Sequence, residues 1–299
     1  MRISTISLAL VSFLSRLILS AQQPVYSNCS LGKGTYTDSS VFHTNLNALL
    51  SNFSSDTKID YGFYNSSYGE SPNRVNALGL CRGDVKPETC RGCLKNATTI
   101  LLKECPNQME AFGYYDLCIF RYANRSIFGI YQDHDFSFSF NNPEKAQDAE
   151  KYTNALDDLM QSLRTKAAAG DSHLKVAMGN ATAGGNETVY GLAQCTPDLS
   201  QQDCEDCLDK AISDISLCCQ NKIGGRVIKL SCNLRFEKVH FYDSIQLSPA
   251  TPALAPSSKT TSSPPGAADS PKASEGNNER TSRIVAIVAG VLGAFTTLY

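Results

Sequence analysis

The chain has 299 residues, of which 42% are hydrophobic and 19% charged, with a formal net charge of -2. That length holds two domains, each long enough to bury a core of its own. The near-neutral balance excludes the basic footprint of a nucleic-acid binder and the long acidic run of a solvating tail, so no nucleic-acid partner is expected.

In chain order, the first feature is Met1-Arg2, an apolar run from Ile6 to Leu19 broken at Arg16, and then Ser20-Ala21. This is the charged, apolar and small-residue layout of a secretory signal, predicting removal of residues 1–21 near Ala21, with a buried first helix as the alternative. Seven Asn-x-Ser/Thr sequons follow, at Asn28, Asn52, Asn65, Asn96, Asn124, Asn180 and Asn186, and they predict N-glycosylation. All twelve cysteines lie downstream of the signal, an even number in an oxidising compartment, so disulfides are the expected state.

Phe42, Leu46, Leu49, Leu50 and Phe53 recur at helical spacing, as do Tyr152, Leu156, Leu159, Met160 and Leu163, predicting one amphipathic helix in each half. A second helix is predicted over Glu88–Lys103 and again over Cys204–Ser216. Around Tyr114–Tyr122 and Val227–Phe236, alternating apolar and polar residues predict antiparallel strands.

The two halves are a repeat. Cys81, Cys90, Cys93, Cys105 and Cys118 are followed, each 114 residues later, by Cys195, Cys204, Cys207, Cys219 and Cys232, so both runs read C-x8-C-x2-C-x11-C-x12-C. Leu78/Leu192, Leu94/Leu208, Ala97/Ala211 and Arg121/Arg235 keep the same offset. Two cysteines fall outside it: Cys29, whose counterpart at that offset is Pro143, and Cys218, beside Cys219. A Cys29–Cys105 bond would orphan Cys219 in the second repeat, next to the extra Cys218. The others would then pair alike, Cys81–Cys90 with Cys93–Cys118 and Cys195–Cys204 with Cys207–Cys232. Spacing does not exclude other pairings, and Cys218 and Cys219 are readable as a vicinal disulfide or as two buried thiols.

The doubled C-x8-C-x2-C motif, the phrase YGLAQCTPDLSQQDCEDCL at Tyr190–Leu208 and CCQNKIGGRV at Cys218–Val227 resemble the ginkbilobin-homologous, or stress-antifungal, domain of land plants, over about residues 25–244. The tandem arrangement resembles the ectodomains of cysteine-rich receptor-like kinases, cysteine-rich repeat secretory proteins and plasmodesmata-located proteins. The resemblance implies an α+β fold of two disulfide-rich domains, at 24–130 and 131–245, each a five-stranded antiparallel sheet packed on two helices, and it implies the pairing above. It also implies a mannose site made of an Asn just after the first cysteine, an Arg six residues before the last and a Glu five after it. In the first domain these positions hold Ser30, Phe112 and Ala123. In the second, Arg226 and Glu237 match while the Asn and its cysteine are missing, so the alternative reading is a structural ion pair between Arg226 and Glu237 on adjacent strands.

Residues 246–283 are rich in Ser, Thr, Ala and Pro, the composition of an O-glycosylated stalk. The apolar tail 284–299 would span about 24 Å as a helix, less than the roughly 30 Å of a hydrocarbon core. Small residues Ser274, Gly276 and Asn277 before it fit a glycosylphosphatidylinositol signal; the start of a receptor-like kinase's transmembrane helix and plain secretion are the alternatives. No metal or other cofactor is expected, because the C-x2-C pairs have disulfide partners at hand and His43, His134, His173 and His240 are scattered. No Walker loop, kinase Gly-rich loop or nucleophile elbow occurs, so an enzyme is not expected. The expected function is non-catalytic recognition outside the cell in stress or defence, with an extracellular protein or a cell-wall or microbial glycan as partner, a membrane tether and a co-receptor. A mannose-binding antifungal lectin and a cell-wall or plasmodesmal adhesion protein are the alternatives.

Overall fold

The structure is a computed structural model that describes residues 24–29, 34–57, 59–131, 136–184 and 187–245. The expected signal, stalk and apolar tail lie outside these residues, as do Ser30, His134 and Asn186. Among the described residues no helix is long and apolar enough to cross a membrane.

The first domain runs β1 (Tyr26–Asn28), α1 (Val41–Ser51), β2 (Phe63–Tyr68), β3 (Val75–Cys81), α2 (Pro87–Glu104), β4 (Ala111–Tyr114) and β5 (Cys118–Ala123). The second repeats the order with β6 (Phe138–Asn141), α3 (Ala149–Ala168), β7 (Lys175–Thr182), β8 (Thr188–Cys195), α4 (Gln201–Cys218), β9 (Gly224–Ile228) and β10 (Cys232–Glu237). Each set of strands forms one antiparallel sheet, in the orders β1-β4-β5-β3-β2 and β6-β9-β10-β8-β7. The two segments expected as strands each resolve into a hairpin arm pair, with the chain reversing at 115–117 and at 229–231.

Local chemistry sets the helix starts. Ser40, Asp148 and Ser200 cap α1, α3 and α4, each accepting a hydrogen bond from the backbone N–H three residues on, and Pro87 opens α2 with its φ already helical. The apolar stripe of each helix then lies on one face of its sheet. Phe42, Leu46, Leu94 and Leu101 pack against Phe120 and Tyr122, and Tyr152, Met160, Leu163 and Leu208 against Leu234 and Phe236. The turn after the second helix is also repeated: Asn107 and Asn221, one repeat apart, both adopt the left-handed conformation that asparagine tolerates better than most residues.

Six disulfides staple this frame: Cys29–Cys105, Cys81–Cys90, Cys93–Cys118, Cys195–Cys204, Cys207–Cys232 and Cys218–Cys219. In each domain the two repeated bonds tie the second helix to the ends of two neighbouring central strands. The domains differ at the first strand. Cys29 fastens the end of β1 to Cys105 at the end of α2, whereas in the second domain Cys218 and Cys219 bond to each other.

The register corrects one correspondence read from the sequence. Tyr26 pairs with Tyr114 on β4, and Phe138 pairs with Ile228 on β9, one repeat beyond Tyr114. The first strands are therefore offset by 112 residues, not 114, and the counterpart of Cys29 is Asn141 rather than Pro143. Asn141 replaces the covalent tie with a hydrogen bond, its Nδ2 donating to the Cys218 carbonyl at 2.6 Å.

The Cys29–Cys105 bond closes a loop across 76 positions, for which loop-closure entropy gives about 4 kcal/mol of stabilisation. Replacing both cysteines by alanine is expected to lower the stability of the first domain by about that amount, with the second domain much less affected. Urea unfolding followed by hydrogen exchange in each domain measures the split.

Candidate functional site

Strands β3, β4 and β5 are buried along their whole length, so the first sheet has an apolar face turned away from its helices. Phe112, Tyr114 and Ile119 on that outer face join Ile228 and Leu230 of the second domain in one buried cluster, flanked by Tyr26, Phe136, Phe138 and Phe140. The stacked rings of Tyr26 and Phe138, 3.8 Å apart, bring the two first strands together at its margin. Buried Gln194 adds a polar stitch, its Nε2 donating to the Cys81 carbonyl at 2.8 Å.

The candidate site lies where this interface meets the outer face of β9 and β10. Arg226 is paired in register with Arg235, and Gly224 with Glu237. Strand alternation puts these four residues on one face, together with Phe140, whose ring lies 5.2 Å from the Arg226 guanidinium. Asn142, just past β6, donates its backbone N–H to the Gly224 carbonyl, and its side-chain Oδ1 accepts from the Glu144 N–H at 3.0 Å. Asn142, Gly224 and Glu237 thus form a row across three chain segments, with Arg226 beside it. A Cβ at Gly224 would stand 2.1 Å from Oε2 of Glu237, so a side chain here would displace that carboxylate.

The charges are balanced by three carboxylates. Arg82 is held by Asp84, with Nε to Oδ1 at 2.6 Å and Nη2 to Oδ2 at 2.9 Å. Arg235 donates its Nε to Oε1 of Glu237 at 3.1 Å. Arg226 is met by Asp116, from the β4–β5 turn of the first domain, with Nη1 at 2.8 Å from Oδ1. That approach is a charge contact without hydrogen-bond alignment, and the buried Nε of Arg226 has no hydrogen-bond partner. Asp116 is also 3.4 Å from Arg235 and 3.7 Å from Arg82. Burial pushes the Asp116 carboxyl up, but Arg226, Arg235 and Arg82 together outweigh it and hold the group below its ordinary value.

Of the residues singled out from the sequence, Arg226 and Glu237 share this face but do not pair with each other, their partners being Asp116 and Arg235. Phe112, at the position equivalent to Arg226, is fully buried in the interdomain cluster. Glu237 does the work that Glu110 does one domain earlier. Glu110, fully buried, binds Arg121, the counterpart of Arg235, and also Arg125. The carboxylate has changed strands: Glu110 and Ala123 correspond to Gly224 and Glu237.

Sequence reasoning missed Asn142. With Asn141 in the place of Cys29, Asn142 is the residue just after the first cysteine's position, so all three residue types of the resemblance-implied mannose site occur at their positions in the second domain, Asn142 beside Gly224 through its backbone. The sequence did not decide the offset, since Tyr26 meets an aromatic residue at either spacing, Phe138 or Phe140; the strand pairing does. Asp116, the acidic residue of a turn, carried no sequence signal.

The comparisons with known proteins agree with this architecture. A family described as salt stress response/antifungal matches residues 28–125 and 139–239. The chain belongs to that family. It is 39% identical over 259 residues to cysteine-rich receptor-like protein kinase 29 of Arabidopsis thaliana, covering 86% of this chain and 36% of the relative. It is 37% identical over 213 residues to cysteine-rich repeat secretory protein 38 of the same plant, covering 71% of this chain and 83% of that one. The chain thus spans about a third of the length of the kinase relatives and most of the secretory one. Among solved structures, the tandem DUF26 ectodomain of the Arabidopsis cysteine-rich receptor-like protein PDLP5 superposes with a TM-score of 0.58 at 30% identity. That of PDLP8 gives 0.63 at 22% identity; each match covers 72% of this chain and 98% of the ectodomain. The chain is an extracellular, cysteine-rich module of the receptor-like or secretory type.

Two outcomes follow from the charge arrangement. Asp116→Asn is expected to cost about 1–2 kcal/mol, the modest figure reflecting a carboxylate whose side chain is 44% exposed. Because its folded value lies below the ordinary 3.8, the Asp116 contribution is complete above that pH and fades as pH falls through the folded value. Thermal unfolding of wild type and variant should therefore converge in acid. Gly224→Glu alone is expected to destabilise the second domain by about 1–3 kcal/mol through crowding and like charge. Combined with Glu237→Ala, which recreates the arrangement of the first domain, most of that loss should return in a double-mutant cycle.

Proposed function

We propose that this chain is a non-catalytic recognition ectodomain acting at the plant cell surface or in the apoplast in stress or defence, with an extracellular protein as its principal partner. The observation that supports this most is the joining of the two domains through the aromatic cluster and the Asp116–Arg226 contact. An oriented pair of domains presents one continuous outer surface, which suits recognition of a large partner, and the expected stalk and tail would tether it. The reading is tested by expressing the full chain with an epitope placed after residue 245 and probing intact plant cells with an impermeant protease. Accessible epitope and absence of free thiols support it; an inaccessible protein bearing reduced cysteines overturns it.

A second reading, glycan binding, is favoured by the convergence of Asn142, Arg226 and Glu237 around the side-chain-free Gly224. Calorimetric titration of the secreted chain with mannose and mannan oligosaccharides decides between the two. Saturable binding that Asn142→Ala abolishes establishes a lectin site in the second domain, while no heat at millimolar sugar leaves protein contacts as the mode of recognition.

A further inference from the structure

Each sheet ends in two edge strands, β1 and β2 in the first domain and β6 and β7 in the second. β1 and β6 meet through Tyr26 and Phe138, and the start of β7 also lies against the first domain, His173 on Tyr61 and Val176 on Gly83, so the stretches left exposed are the later halves of β2 and β7. An edge strand presents a row of N–H and C=O groups to which another strand can add, and proteins guard such edges with charges, proline, bulges or a cover. Neither strand uses the first two. β2 reads Phe63, Tyr64, Asn65, Ser66, Ser67, Tyr68, with no charge and no proline, and its last four residues are exposed. β7 carries a single charge, Lys175, which is buried and turned to the C-terminal carbonyls of α3, donating to Ala168 and Gly170.

What both strands carry is a glycan acceptor. Asn65-Ser66-Ser67 and Asn180-Ala181-Thr182 are sequons lying within β2 and β7, and both asparagines and both hydroxyl residues are exposed. Asn65 shares the outer face with Phe63, and Asn180 shares it with Met178, away from the helices. The acceptors are not at equivalent positions. Tyr64 pairs with Gly79 and Ala177 with Ala193, one repeat beyond Gly79, so Ser67 rather than Asn65 is the counterpart of Asn180. The repeat by itself therefore does not account for finding one on each outer edge.

The remaining described sequons are placed differently. Asn52 is exposed but caps the end of α1, away from the sheets. Asn28, Asn96 and Asn124 are half-buried, Asn96 within α2 and Asn124 with its amide 3.5 Å from the Met109 sulfur. On β7 one carbonyl is already covered, since the Tyr242 hydroxyl donates to Gly179 at 2.7 Å beside Asn180.

We propose that N-linked glycans on Asn65 and Asn180 cover the β2 and β7 edges and prevent a second copy of this chain from pairing onto them. The test uses the full chain secreted from eukaryotic cells, with glycopeptide mass spectrometry and sedimentation velocity. Both sites are expected to be occupied. The double variant Asn65→Gln/Asn180→Gln should self-associate at least tenfold more strongly than wild type, and Asn52→Gln should not. Ser67→Lys/Thr182→Lys removes the same two sequons but places a charge on each edge, so it should stay monomeric. Unoccupied Asn65 or Asn180, a monomeric Gln variant, or self-association of the Lys variant to the same degree would each overturn the proposal. Should the Gln variant fail to be secreted, enzymatic removal of glycans from the folded wild-type chain gives the same reading.

Discussion

The first sheet is buried on both faces but has only one layer of helices. A strand such as β3, buried at all seven positions, cannot be left with one side in water, because every large side chain so exposed forfeits roughly 1.5–3 kcal/mol. Around Phe112, Tyr114 and Ile119 the second domain supplies the cover with its own outer face. Leu78 and Leu80 of β3 are covered instead by the first domain's own Ile127 and Phe128, so the second domain completes the cover on the β4–β5 side, which is where its site residues meet a turn of the first.

Within that constraint the repeats reach the same end by different residues. The arginine on the last strand of each sheet, Arg121 or Arg235, needs a carboxylate because a partly or wholly buried guanidinium without one is costly. Glu110 supplies it from β4's approach in the first domain and Glu237 from β10 itself in the second, with Ala123 and Gly224 small on the opposite strand. The first strand needs an anchor to the end of the second helix, given by Cys29–Cys105 in one domain and by Asn141 on the Cys218 carbonyl in the other. The first is covalent; the second depends on the backbone shape held by the bonded Cys218 and Cys219.

The family, the fold and the four helices were legible because the cysteine spacing is rigid between Cys81 and Cys118 and the helix stripes keep their period. The same rigidity misled at Cys29. No repeated spacing controls the loops between the first strand and Cys81, so the 114-residue offset failed there by two residues and Asn142 was overlooked. The interface was invisible for another reason: apolar alternation shows that a face is buried, not what buries it. Asp116 owes its role wholly to position in space, since its three arginines are 34, 110 and 119 residues away along the chain.

If the second domain binds a ligand at Arg226, that position would link recognition to the domain contact. Arg82 and Arg235 have their own carboxylates in Asp84 and Glu237, so the charge of Arg226 is the one answered chiefly from the other domain. A ligand that takes Arg226 displaces Asp116, and by reciprocity the free energy with which it weakens the interface equals that with which the interface weakens its binding. A neutral sugar hydroxyl is a poorer partner for a guanidinium than a carboxylate is. It can compete only by adding hydrogen bonds to Asn142 and Glu237 at the same time, whereas an anionic group could replace Asp116 outright. On the glycan reading, the chemistry of this face would therefore favour a ligand that either engages the whole row or carries a charge, and the first domain would be part of the second domain's specificity.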